Sequence, residues 1–103
     1  MQITIQPDRN IDGVIMAPPS KSMAHRAVLC AALAKGISHI RNLEFSKDIA
    51  ATLAAAGQLC ARVTTGGNDA VVEGLGRFLP VEAPVDCCES GSTLRFLIPL
   101  ASL

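Results

Sequence analysis

Hydrophobic and polar positions alternate near the start of the chain and then give way to longer apolar stretches. Residues 2–6 and 12–16 contain alternating or β-branched side chains, a pattern that predicts two strands. Residues 22–34 are almost all helix formers or apolar residues, and Lys35 followed by Gly36 is typical of a helix end. We therefore expect two strands followed by a buried helix.

The middle of the chain predicts a strand, a second helix and a hairpin. Residues 37–42 are a short strand candidate. Ser46 is a typical N-cap for a following helix, and Asp48 suits the positive end of that helix. Residues 61–65 and 70–73 flank a Gly- and Asn-containing turn and predict a hairpin.

The last part of the chain predicts a short strand at residues 85–87 and a third helix that begins at residues 90–92. The predicted order is strand, strand, helix, strand, helix, strand, strand and helix, with connections of ordinary length. This order indicates a layered α/β fold.

Composition narrows the function classes. Nine basic and nine acidic residues balance in the 103-residue chain, which gives no bulk attraction to nucleic acid or to an anionic membrane. Half of the residues are hydrophobic and 17% are charged, so the chain is expected to fold. With three Phe and no Trp or Tyr, its core is expected to be aliphatic.

The four cysteines, Cys30, Cys60, Cys87 and Cys88, lack the paired spacing of a zinc site, so we expect no metal. We interpret them as reduced, small, buried hydrophobic residues. No secretory signal precedes the first predicted strand, and no apolar run is long enough to span a membrane, so we expect a cytoplasmic protein.

The chain ends at Leu103 within an apolar stretch that has no helix stop. We expect a fragment whose apolar faces are covered by further sequence. A small protein that hides the same surface by self-association is the alternative.

Candidate chemistry is concentrated at the start of the first helix, where Lys21, Ser22, His25 and Arg26 lie close together. Cations at a helix N-terminus oppose the helix dipole unless an anion lies between them and the helix. The pattern therefore predicts a phosphate site formed by Lys21, Ser22 and Arg26; a solvated first turn is the alternative. We interpret His25 as a neighbour of this site, and not as a general base.

A second candidate site lies where Ser90, Gly91 and Ser92 lead into the third helix. Gly91 permits a close approach to the backbone, and the first-turn N–H groups could bind an anion. Arg95 strengthens this reading modestly, although an ordinary capped turn has the same residues.

Neither glycine-rich nucleotide signature is present, which disfavours ATP and NAD. A small substrate set with two phosphates would fit the two helix starts.

At these positions the sequence resembles the 5-enolpyruvylshikimate-3-phosphate synthase (EPSP synthase) family, in its bacterial form. The resemblance extends over essentially the whole chain and is carried by three motifs in the family's order: Pro19-Ser20-Lys21-Ser22 with Arg26 and Gly36, Ser46-x-Asp48-Ile49, and Glu89-Ser90-Gly91-Ser92-Thr93-Leu94-Arg95-Phe96-Leu97-Ile98-Pro99.

The resemblance implies an enzyme that transfers the enolpyruvyl group of phosphoenolpyruvate to the 5-hydroxyl of shikimate 3-phosphate, through a tetrahedral intermediate, and releases phosphate. It implies no metal or organic cofactor and a role in aromatic amino acid synthesis. By resemblance Lys21 contacts both substrates and is the catalytic candidate, Ser22 and Arg26 bind shikimate 3-phosphate, and the Gly91 backbone binds phosphoenolpyruvate, where glyphosate competes. Ser92 and Arg95 are possible secondary contacts.

The family's fold, an inside-out α/β barrel, has two domains, each built from three βαβαββ units. By resemblance, residues 1–17 are opening strands that associate with the C-terminal half, and residues 18–103 form the first unit and the start of the next. Several site residues of the family lie beyond Leu103, so this chain alone is expected to be inactive and to self-associate, whereas the full-length protein is expected to be a monomer.

Cys60 and Cys88 replace glycines that are common in the family. If these positions need a positive φ, each cysteine costs about 1 kcal/mol.

Two other functions stay open. The sister transferase that acts on UDP-N-acetylglucosamine usually has Lys-Asn where this chain has Lys21 and Ser22, and it lacks the partner at Arg26. A non-catalytic module for anion binding or assembly is the alternative of another class.

Overall fold

A computed structural model describes residues 1–7, 10, 12–59 and 61–102 of the chain. Within them, three helices and three strands follow one another as α1 (Lys21–Leu33), β1 (Lys35–Ile40), α2 (Lys47–Leu59), β2 (Ala61–Gly66), β3 (Asp69–Leu75) and α3 (Gly91–Ala101). The predicted α/β class is confirmed, and the three helices begin within a residue of the predicted starts.

The strands form one antiparallel sheet in the order β1-β3-β2. Lys35 of β1 lies opposite Leu75 of β3, and Ala61 of β2 lies opposite Gly74. The hairpin between β2 and β3 turns at Gly67, whose φ of 57° is accessible to glycine without strain. The predicted hairpin is therefore confirmed, with longer strands than expected.

Helices α1 and α2 cover one face of the sheet. Along β3, Ala70, Val72 and Gly74 are buried, whereas the residues between them are half-buried, which is the alternation expected of a strand with one covered face. The buried apolar side chains are aliphatic throughout the described residues, as the composition predicts. They form one core cluster, which includes Val28, Ala32, Ile49, Leu53, Ala55, Ala56, Ala70 and Val72.

The prediction of strands at residues 2–6 and 12–16 is wrong for this chain: the described residues of both segments are exposed and belong to no strand. The alternating pattern is real, but a strand persists only when its backbone pairs with a neighbour, and the described residues place no strand beside these segments. The predicted strand at residues 85–87 also does not form. The strand predicted at residues 37–42 begins two residues earlier and ends at Ile40.

Helix α1 is buried on one face only, so the expectation of a buried helix is wrong in part. Val28 and Ala32 are fully buried, but Met23 and Cys30 are exposed. Cys30 lines an open apolar groove between α1 and α3, together with Leu29, Leu33, Phe96 and Leu100.

Candidate functional site

The first turn of α1 presents the predicted residues at its surface. Ser20 is the N-cap, and its hydroxyl accepts a hydrogen bond from the Met23 amide at 3.3 Å. Lys21 and Ser22 are the first two residues of the helix and are exposed. The first N–H groups of a helix have no acceptor within it, so this turn offers amide donors beside an ammonium and a hydroxyl.

Lys21 is paired with a carboxylate of the second helix. Its Nζ lies 3.2 Å from Oδ2 of Asp48, and the two side chains are 56% and 36% exposed. A pair this exposed contributes about 0–1 kcal/mol to stability. The pair holds the ammonium beside both helix starts, and its weakness leaves the ammonium accessible to an anion.

Arg26 connects α1 to α3. Its Nη1 donates a 3.0 Å hydrogen bond to the Ser22 carbonyl, four residues earlier, and the guanidinium carbon lies 5.3 Å from the centroid of the Phe96 ring. Lys21 and Arg26 therefore have different anchors, a carboxylate on α2 and an aromatic ring on α3. Neither side chain extends into bulk water alone.

Two contacts show how α1 and α2 are aligned. Lys21 pairs with Asp48, and His25 Nδ1 lies 2.7 Å from Thr52 Oγ1. Each pair is separated by 27 residues, and each helix contributes residues four apart, which lie on one face. Because the offset is the same at both levels, α1 and α2 run side by side in the same direction, with their N-termini at the same end.

The start of α3 joins this end. Ser90 is its buried N-cap, and the Thr93 amide donates to Ser90 Oγ at 3.1 Å. Thr93 Oγ1 lies 3.4 Å from the main-chain oxygen of Asp48, in the first turn of α2. Three helix N-termini therefore meet at one end of the molecule, where the sequence alone had suggested two. Their dipoles together favour an anion.

Gly91 lies in the open at the start of α3. A Cβ added to Gly91 would meet nothing within 4 Å, so the chain's own packing does not require glycine there. Ser92 and Arg95 are exposed in the same helix. Gly91 and Ser92 are both exposed, so the space beside the first turn of α3 is open.

His25 is fully buried at 1% exposure, and its Nε2 is the buried side-chain polar atom without a hydrogen-bond partner among the described residues. Burial lowers the pKa of His25 from its ordinary value; the nearby Asp48 carboxylate opposes this shift, and Lys21 and Arg26 add to it. The imidazole is therefore neutral at pH 7. A neutral, enclosed imidazole supports its interpretation as a neighbour of the site.

The prediction that all four cysteines are buried is wrong. Cys30 and Cys88 are exposed, Cys87 is half-buried, and Cys60 lies outside the described residues. Cys88 has a φ of 50°, which confirms that its position needs the left-handed conformation. A non-glycine residue pays about 1 kcal/mol for it. Cys88 N donates to Asp86 Oδ1 at 2.7 Å, which holds the turn before α3.

Sequence reasoning treated Asp48 as a partner of the helix dipole and did not find Thr52, Thr93 or Phe96. The four-residue spacing of Asp48 and Thr52, which matches the spacing of Lys21 and His25, is a signal in the sequence. The contact between the Lys21 and His25 face of α1 and the Asp48 and Thr52 face of α2, however, depends on how the helices pack.

The family sequence profile described as EPSP synthase (3-phosphoshikimate 1-carboxyvinyltransferase) matches residues 5–103. The chain belongs to the EPSP synthase family. A relative named 3-phosphoshikimate 1-carboxyvinyltransferase from Clostridium kluyveri is 43% identical over 100 residues, covering 97% of this chain and 23% of the relative. One of the same name from Clostridium beijerinckii is 45% identical over 100 residues, covering 90% of this chain and 23% of the relative.

Among solved structures, EPSP synthase from Acinetobacter baumannii matches with a TM-score of 0.75 and 24% identity, over 82% of this chain and 20% of that chain. The expected enolpyruvyl transferase fold is therefore confirmed for the matched part of this chain. The chain spans about 23% of the length of the curated relatives that it matches. None of the helices in the described residues has the length and apolarity needed to cross a bilayer.

Proposed function

We propose that this chain supplies one side of the active site of an enolpyruvyl transferase, which moves the enolpyruvyl group of phosphoenolpyruvate to shikimate 3-phosphate and releases phosphate. The observation that carries the proposal is the meeting of three helix N-termini beside Lys21 and Arg26. Both proposed substrates carry phosphate, and helix starts with cations are suited to bind it. The names of the relatives match this chemistry.

The family resemblance supplies the proposed roles, and the position of each side chain supports them. Ser22 and Arg26 bind shikimate 3-phosphate; the 3.0 Å hydrogen bond that Arg26 Nη1 donates to the Ser22 carbonyl keeps the guanidinium at the first turn of α1. The amide of Gly91 binds phosphoenolpyruvate, and the open space around Gly91 supports a close approach. Ser92 and Arg95, both exposed on α3, are secondary contacts.

Lys21 is the proposed catalytic residue, in contact with both substrates. The ammonium lies between the starts of α1 and α2, so it can attract the negative charge of either substrate. The proposed reaction adds the 5-hydroxyl oxygen to the phosphate-bearing carbon of the enol double bond and a proton to its CH2 carbon. The bond from carbon to phosphate oxygen then breaks as a proton leaves the new methyl group, which restores the double bond. A positioned cation lowers the barrier by stabilising charge that develops on the phosphate oxygens.

The activity belongs to a longer protein. We propose that residues 1–17 pair with strands outside this chain, that residues 18–103 form the first βαβαββ unit and the start of the next, and that this chain alone does not turn over. The exposed side chains of Ile3 and Ile5, at 76% and 86%, support such a pairing. We further propose that the whole protein is a cytoplasmic monomer of aromatic amino acid synthesis.

Phosphate release tests this function. The full-length protein that contains this chain is expected to release phosphate from phosphoenolpyruvate only when shikimate 3-phosphate is present. Equal release with UDP-N-acetylglucosamine would assign the protein to the sister transferase. If no phosphate is released with either acceptor, the anion-binding module is the better interpretation.

A further inference from the structure

A chain of hydrogen bonds crosses the three helices beneath the site. His25 Nδ1 lies 2.7 Å from Thr52 Oγ1, Thr52 Oγ1 lies 2.7 Å from Thr93 Oγ1, and Thr93 Oγ1 lies 2.6 Å from Ser90 Oγ. The four residues are between 0% and 4% exposed. Four buried polar side chains in one line are unusual in a core that is otherwise aliphatic, and each forms a hydrogen bond with the next.

The donors and acceptors fit in one order. Thr93 donates to Ser90 Oγ through both its amide and its hydroxyl, at 3.1 Å and 2.6 Å. Because a hydroxyl has one proton, Thr93 Oγ1 must then accept from Thr52, and Thr52 Oγ1 must accept from His25 Nδ1. This order requires hydrogen on Nδ1 of the imidazole and a lone pair on Nε2, the atom without a hydrogen-bond partner among the described residues.

The start of α3 depends on this line for its direction. Thr93 and Leu97 are the buried residues of α3. Leu97 makes apolar contacts, which do not fix an orientation, whereas Thr93 makes directional hydrogen bonds in the first turn, two residues after Gly91. Helix α1, in contrast, is also held by the sheet, because Val28, Ala32 and their neighbours pack in the core.

We propose that His25, Thr52 and Thr93 are positioning residues that hold the start of α3, with Gly91, at a fixed place beside the start of α1. The proposal rests on the proposed function and adds to it a mechanism for aligning the two substrate sites. His25 acts through its Nδ1–H as a fixed donor, and it exchanges no proton with a substrate. Losing a link moves Gly91 and leaves Ser22 in place, and Arg26 keeps the hydrogen bond from its Nη1 to the Ser22 carbonyl within α1.

Thr52→Val tests the proposal in the full-length protein, because valine keeps the shape of threonine and removes the hydroxyl. The KM for phosphoenolpyruvate is expected to rise about ten- to a hundredfold, since misplacement on the order of an ångström has effects of this size. The KM for shikimate 3-phosphate is expected to change less than about twofold. Thr52→Ser restores the hydroxyl and is expected to restore the wild-type KM.

Thr64→Val, at an exposed position of β2, is the matched control and is expected to leave both KM values unchanged. If Thr52→Val leaves the KM for phosphoenolpyruvate unchanged, or raises both KM values equally, the positioning role is wrong. If Thr52→Val does not fold, Thr52→Ser and Thr93→Ser provide the kinetic test: each keeps the hydroxyl, so a tenfold rise in the KM for phosphoenolpyruvate contradicts the proposal.

Nuclear magnetic resonance of ¹⁵N-labelled wild-type protein tests the line without any substrate. The His25 ring is expected to have hydrogen on Nδ1, and the amides of Thr93 and Leu94 are expected to exchange faster in Thr52→Val than in Thr64→Val. Hydrogen on Nε2, or equal exchange in the two variants, contradicts the proposal. If the wild-type protein shows no turnover while the tautomer and exchange results hold, the proposed function fails and the hydrogen-bonded line stands.

Discussion

At the scale of single residues, the site combines an exposed cation with a buried imidazole one helical turn away. Lys21 is exposed and weakly paired with Asp48, whereas His25 is enclosed and hydrogen-bonded to Thr52. The difference follows from their positions: Lys21 is the first residue of α1, outside the core, whereas the side chain of His25 is enclosed between α1 and α2. Mutation of Lys21 is therefore expected to change the activity, whereas mutation of His25 is expected to change the stability of the fold.

Lys21→Met is expected to abolish phosphate release by the full-length protein while changing the free energy of unfolding by less than about 1 kcal/mol, because the Lys21–Asp48 pair is exposed. Enzyme assay and urea denaturation measure the two effects. Lys35→Met, at an exposed position of β1, is the control and should retain turnover. Loss of the fold in Lys21→Met would mean that the lysine is structural.

The buried imidazole predicts a pH dependence of stability. Because the pKa of His25 is lowered by burial, the unfolded chain binds a proton there that the folded chain resists. The contribution of His25 to the free energy of unfolding is then at its full value above the pKa of His25 in the unfolded chain, about 6.5. Below that pH the free energy of unfolding falls by up to about 1.4 kcal/mol per pH unit, until the pH reaches the pKa of His25 in the folded chain.

Urea denaturation at pH 7.5 and 5.5 checks this dependence in the wild type and in His25→Asn. The loss of stability on acidification is expected to be smaller in His25→Asn, since the site of the extra proton is gone. His39→Asn, at an exposed position of β1, should behave as the wild type does. An equal loss in all three proteins would show that His25 does not cause the dependence.

At the scale of elements, the end of α1 lies against β3 so closely that one position has no room for a side chain. A Cβ added at Gly74 would come within 3.0 Å of the main-chain oxygens of Ala31, Ala32 and Ala34. Backbone atoms at a helix end cannot move aside as a flexible side chain can. The contact thus explains why β3 contains a glycine at the height where the helix ends.

Gly74→Ala is expected to destabilise the chain by about 1–3 kcal/mol or more, because overpacking forces α1 away from the sheet. The midpoint of thermal or urea unfolding measures the effect. Gly66→Ala is the matched strand control, because a Cβ at Gly66 meets nothing within 4 Å. Similar midpoints for the two variants would mean that the contact between α1 and β3 yields easily.

At the scale of the whole molecule, apolar surface stays uncovered. The radius of gyration is 17.5 Å, against about 13 Å for a compact chain of this length, and Val14, Ile15 and Met16 are between 89% and 102% exposed. Leu94 and Ile98 of α3 are also exposed, at 49% and 61%. Apolar surface of this extent favours association.

The isolated chain of residues 1–103 is therefore expected to self-associate, with a scattering mass that rises with concentration. The double variant Leu94→Lys and Ile98→Lys is expected to have a smaller scattering mass, since it places charge on the exposed face of α3. Ile37→Lys, which changes an exposed isoleucine of β1, is the comparison. A monomer at all concentrations, with no difference among the variants, would contradict the role of the α3 face.

The sequence by itself determined the local elements and the kinds of residue at the site. Ser20, Ser46 and Ser90 cap helices through contacts within three residues. The sequence pattern predicted the cap at Ser46 and a third helix that begins at residues 90–92, and the structure adds the cap at Ser20. Periodicity likewise located the helices and the hairpin, because these depend on neighbours along the chain. The candidates Lys21, Ser22, Arg26 and Gly91 were visible because unusual chemistry at a helix start is a local feature.

Only the tertiary structure decided which of these features meet. The pairing of Lys21 with Asp48 and of Thr52 with Thr93 joins residues 27 and 41 positions apart, and no local pattern specifies such distances. The prediction of strands at residues 2–6 and 12–16 was wrong for the same reason: alternation of polar and apolar residues predicts a strand, but a strand forms only where its backbone pairs with a neighbour. Packing of the helices on the sheet brings three N-termini together, and the candidate site is therefore built from residues that are separate in the sequence.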